Sequence, residues 1–114
     1  MTNKAEEERR IRIRELIQDS KKVLDNYDQK KIKPKHHVIA GLMKEVQDEI
    51  DFLKHWIGNY ELSSEENKEI LNEEQKDHYQ QMIVERKSNL EELRNCFAGL
   101  HRVYQHVGLN RDDH

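Results

Sequence analysis

The chain has 114 residues, of which 38% are charged and 34% hydrophobic, and its formal net charge is −3. One domain of this length buries a modest core and leaves little room for a deep enzyme cleft. So small a net charge with strongly periodic apolar residues argues against disorder, and one proline and four glycines argue against a β-rich fold.

The composition is that of long helices, and three are predicted in chain order. The first spans about residues 4–27. Asn3 followed by Glu6 has the spacing of a capping box, and Ile13, Ile17, Ser20, Leu24 and Tyr27 alternate spacings of four and three. Leu16 and Val23 widen that apolar stripe. Residues 28–33 form a polar connection, and Pro34 suits the first position of a second helix over about 34–57. Its seam is Ile39, Met43, Val46, Ile50, Leu53, Ile57 and Tyr60, flanked by Leu42, Phe52 and Trp56. Gly58-Asn59 reads as a C-cap.

Ser63 and Glu66 then suggest a second capping box, opening a short element over about 63–71. The third helix, about 72–107, carries the seam Tyr79, Ile83, Arg86, Leu90, Leu93, Phe97, Leu100, Tyr104 and Val107. Gly108 is its expected terminator, with Leu109 folding back on Tyr104. These elements predict an all-α chain, an antiparallel three-helix bundle with coiled-coil-like heptad seams and a long C-terminal helix. It forms a single domain over 1–109, with 110–114 a polar tail.

The helix lengths do not match. About 24 residues in the second helix span roughly 36 Å, against roughly 54 Å for about 36 residues in the third. A turn near residues 58–72 then sets Pro34 opposite Phe97 and leaves Phe97, Leu100, Val103, Tyr104 and Val107 projecting past the bundle. Exposing such side chains would forfeit about 1.5–3 kcal/mol each. A second copy of the chain, a kink at Ala98-Gly99 or another protein would cover them; a different helix alignment would make them ordinary core. Phe52 and Trp56 are a second candidate interface, with core flank as the plainer reading.

Motifs that carry chemistry are scarce. Lone Cys96 allows neither an intramolecular disulfide nor a cysteine-rich zinc site, and its place on an apolar stripe suits a small core residue. Asp51 with His55, and Glu74 with His78, have one-turn spacing but fall on outward faces, so no metal site is expected. No serine lies in a nucleophile elbow, and no glycine-rich phosphate loop occurs. Neither catalytic residues nor a cofactor are expected.

Charge is uneven along the chain. Before Ile39 there are 11 Lys/Arg against 7 acids, and afterwards 9 against 16. The basic part includes Lys30, Lys31, Lys33 and Lys35, which could meet phosphates, although no aromatic residues interleave with them. Arg86 occupies an apolar seam position. The alignment above sets it beside Ser20 as a polar core layer, unless its side chain reaches outward instead. The first fourteen residues are too polar for a signal peptide, and no apolar run nears the ~20 residues of a membrane span. A cytoplasmic, non-enzymatic regulator or adaptor follows as the expectation. It would inhibit or chaperone a partner protein through a helical face and form a homodimer; an accessory nucleic-acid binder using residues 30–37 is the alternative.

Overall fold

A computed structural model describes residues 4–109, and these form three helices: α1 (Lys4–Lys30), α2 (His36–Glu66) and α3 (Glu73–Leu109). They build a three-helix rod with extents of 63 × 22 × 22 Å. α2 runs antiparallel to its neighbours and packs along much of α3, whereas α1 lies more on α3 than on α2.

The three seams converge as their spacing requires. Ile13, Leu16 and Ile17 of α1 meet Val46, Ile50, Leu53 and Ile57 of α2 and Leu90, Leu93, Cys96 and Leu100 of α3 in one core. Ion pairs set the lateral positions on the outside. Arg9 meets Glu49 at 2.7 Å, Arg10 meets Glu85 at 3.1 Å, and Arg102 meets Asp28 at 3.1 Å. Most such pairs are exposed and contribute little individually.

The helix ends differ from the sequence reading in ways that matter. α1 continues to Lys30 and stops where Lys31 takes a left-handed backbone (φ 58), with the Ile32 N–H donating to the Asn26 carbonyl at 3.0 Å. Pro34 is not the first residue of α2; Lys35 is the N-cap, and the helix begins at His36. Gly58-Asn59 does not end α2, which continues to Glu66. No glycine in the described residues has positive φ. Tyr60 stacks beneath Trp56 at 3.8 Å between ring centroids and leans on Tyr79 at 5.5 Å, contacts that hold the chain helical past the glycine.

The separate element expected over 63–71 is therefore the last turn of α2 and the turn beyond it. Asn67 ends the helix, its Nδ2 donating to the Ser63 carbonyl at 2.8 Å. The capping box is built one element later, by Asn72 and Gln75. The Gln75 N–H donates to Asn72 Oδ1 at 2.8 Å, and the Asn72 N–H donates to Gln75 Oε1 at 3.0 Å. α3 passes unbroken through Ala98-Gly99 and through Gly108 to Leu109. The cap at Asn3 and the tail 110–114 lie outside the described residues, as do the side chains of residues 108 and 109.

Candidate functional site

Extending α2 shifts its alignment with α3. His36 lies against Tyr104 (ring centroids 4.4 Å apart), about two turns further along α3 than Pro34 opposite Phe97 would require. The apolar overhang disappears. Leu100 and Val103 have no exposed surface and are core of the single chain, so neither is available to a partner. Val107 is half-buried.

Phe97 and Tyr104 end differently. Both remain half-buried and, with Ala40 and Met43 of α2, line an open groove of about 410 Å³ between α2 and α3. Lys44, Gln47 and Asp48 form its rim. The His101 ring lies parallel to Phe97 at 6.2 Å. Met43 escaped the sequence reading as an interface residue because its seam position reads as core, and Ala40, beside the seam, was not singled out; the visible signal was its small side chain, too short to cover the aromatic rings opposite.

Phe52 and Trp56 are half-buried flanks whose rings already have cationic neighbours within the chain. The Arg9 guanidinium lies 3.5 Å from the Phe52 centroid, and that of Arg86 lies 4.9 Å from the Trp56 ring. Such stacking occupies the faces that an incoming side chain would use.

Arg86 is buried, with only 3% exposed, and does not reach outward. Its Nη2 is 3.6 Å from Glu6 Oε1, and its Nη1 is enclosed without a hydrogen-bond partner. Nearby, burial pushes the Tyr60 hydroxyl above its ordinary pKa, with the Glu6 charge and Tyr79 adding to the rise and Arg86 opposing it. Ser20 does not share this layer. Its hydroxyl donates to the Leu16 carbonyl at 2.7 Å, and it contacts the Cys96 thiol, about 15 Å along α3 from Arg86. Burial raises the Cys96 pKa, Lys21 and Ser20 working against that rise.

Lys30, Lys31, Lys33 and Lys35 are exposed at the α1–α2 connection, where Lys31 Nζ donates to the Asp28 carbonyl at 3.1 Å. Among the described residues no group of three or more His, Cys, Asp or Glu side chains comes together to hold a metal ion. No helix among them is long and apolar enough to cross a membrane. Compared with known proteins, the chain matches no family model, and no curated protein or solved structure is significantly similar to it.

Proposed function

We propose that this chain is a non-catalytic regulator or adaptor that seats an apolar helix of a partner protein in the α2–α3 groove. The observation that carries this reading is the juxtaposition of Phe97, Tyr104, Met43 and Ala40 along an open furrow between two antiparallel helices. Such a furrow accepts the apolar stripe of a third helix, and aromatic anchors supply the contact area that dominates helix-in-groove recognition. Met43, unbranched and polarisable, adapts to the shape of what it meets. Lys44 and Asp48 on the rim favour a partner helix carrying charges of both signs beside that stripe. Covering a functional helix of the partner would inhibit it; covering an unpaired apolar helix before assembly would chaperone it.

The test is capture of partners from native-host lysate by wild-type chain, by Phe97→Ala/Tyr104→Ala and by Ala40→Gln, with helicity checked for each. A nuclease-resistant protein bound by wild type and lost, or weakened at least about tenfold, in both folded variants supports the groove. Equal binding by all three chains refutes it. Loss of all bound material after nuclease treatment refutes it too, and points to nucleic acid at Lys30, Lys31, Lys33 and Lys35.

A further inference from the structure

A pocket of different chemistry lies at the other end of the rod. Tyr60 of α2, Leu71 of the turn, and Glu74, Gln75, His78 and Tyr79 of α3 line a space of about 500 Å³. Tyr79 precedes Phe97 by about 27 Å along α3, so this pocket is separate from the docking groove.

The two tyrosines form angled walls. Their ring centroids are 5.5 Å apart with the planes inclined at 55°, so one ion can sit within about 6 Å of both. Trp56, stacked on Tyr60 at 3.8 Å, fixes that ring. Glu74 is exposed and joins no ion pair among the described residues, whereas Glu73 beside it holds Lys76 at 3.8 Å. Burial raises the Tyr60 pKa most, and of the two charges acting on it Glu6 outweighs Arg86, so the field at this ring favours a cation. Arg86 itself is engaged by the Trp56 ring at 4.9 Å and by Glu6 at 3.6 Å.

We infer that this pocket binds a methylated ammonium group, held against the Tyr60 and Tyr79 rings beside the Glu74 carboxylate. Aromatic faces attract cations through the ring quadrupole, and a quaternary ammonium spreads its charge over methyl groups that also pack on Leu71. It brings no N–H to satisfy. A primary ammonium or a guanidinium brings several donors, and Gln75 Oε1 already accepts from the Asn72 N–H at 3.0 Å, which leaves few acceptors for them. A neutral group of the same shape gains the contact with Leu71 but neither the ring quadrupoles nor the carboxylate.

The test is a proton NMR titration of the full chain with choline, with a blocked trimethyllysine, and with dimethylbutanol, which is choline with carbon in place of nitrogen. At least one cation should saturate below about 10 mM, and the alcohol should bind at least about tenfold more weakly. The N-methyl signals should move upfield as the methyl groups enter the ring currents of the tyrosines. Glu74→Gln, at an exposed position, should weaken the cation several-fold and leave the alcohol unchanged. Tyr79→Leu, with helicity checked, should abolish the upfield shift. Phe97→Ala/Tyr104→Ala should bind the cation as wild type does, so failure of the docking reading leaves this site standing. Tighter choline would identify a small molecule or lipid headgroup as the source of the ammonium, and tighter trimethyllysine a modified protein side chain. Saturation by neither cation overturns the inference. So does an alcohol that binds as tightly as choline, or cation binding unaltered in both Glu74→Gln and Tyr79→Leu.

Discussion

Replacing Gly58 by alanine separates two accounts of where α2 ends. If Gly58 were the left-handed residue after a helix finishing at Ile57, a Cβ there would cost about 1 kcal/mol or more. The structure sets it inside α2, more than two turns before Glu66, without positive φ and with open space where the Cβ would go. Alanine at such a position should stabilise the fold by about 0.8–1.0 kcal/mol, largely by removing conformational freedom from the unfolded chain. With an unfolding entropy of about 2.1 cal/mol/K per residue, a chain of 114 residues gains roughly 3–4 °C in Tm from that amount. Thermal melting followed by the far-ultraviolet helical signal measures it, and a urea midpoint that rises at constant m would show that the change is in stability alone. Gly41→Ala, equally open, should give a similar gain, and the two should add because the sites share no neighbours. A fall in Tm for Gly58→Ala would refute the continuous helix, and with it the alignment that buries Leu100 and Val103.

Gly99 should behave in the opposite way from Gly58. A Cβ there would lie 2.8 Å from Leu24 Cδ1, so Gly99→Leu should cost about 1–3 kcal/mol by overpacking, and Leu24→Ala in the same chain should recover part of the loss in urea titration. Arg86→Met should raise stability by about 1 kcal/mol. It removes a buried guanidinium with one unpaired nitrogen and leaves Glu6, which is 32% exposed, in reach of water; a Tm below wild type would count against this. Because the folded state raises the Cys96 pKa, the unfolded chain loses that proton first. Stability should therefore be constant near neutral pH and decline as pH rises past the ordinary thiol value of about 8.5. Comparing denaturant midpoints of wild type and Cys96→Ala across that window isolates the contribution. In native protein the thiol should also resist a disulfide reagent until denaturant is added.

The sequence alone determined which face of each helix turns inward. Apolar residues at alternating spacings of four and three can be buried together only on one side of a helix, so Ile13, Ile17, Val46, Ile50, Leu53, Leu90 and Leu93 were assigned to the core from spacing and lie there. Cys96 reads as a small core residue and lies in the core, but the spacing runs the α3 seam through Phe97 and Tyr104, where the structure buries Cys96 and Val103 instead. Ends and alignment were not legible. Gly58-Asn59, Ser63–Glu66 and Asn72–Gln75 are all local signals of helix termini, and the free energy of each is about 1 kcal/mol, too small to prevail against packing. The Trp56–Tyr60 stack of α2 leans on Tyr79 of α3, and that contact between helices carried α2 past Gly58-Asn59 to Glu66.

From that extension follow the loss of the overhang, the separation of Ser20 from Arg86, and the division of the candidate interface residues into core (Leu100, Val103) and groove lining (Phe97, Tyr104). The heptad pattern repeats each two turns, so sliding one helix along another by that distance satisfies the seams nearly as well. Periodicity therefore chose the buried face of each helix, and only contacts between helices chose how far along one another they lie.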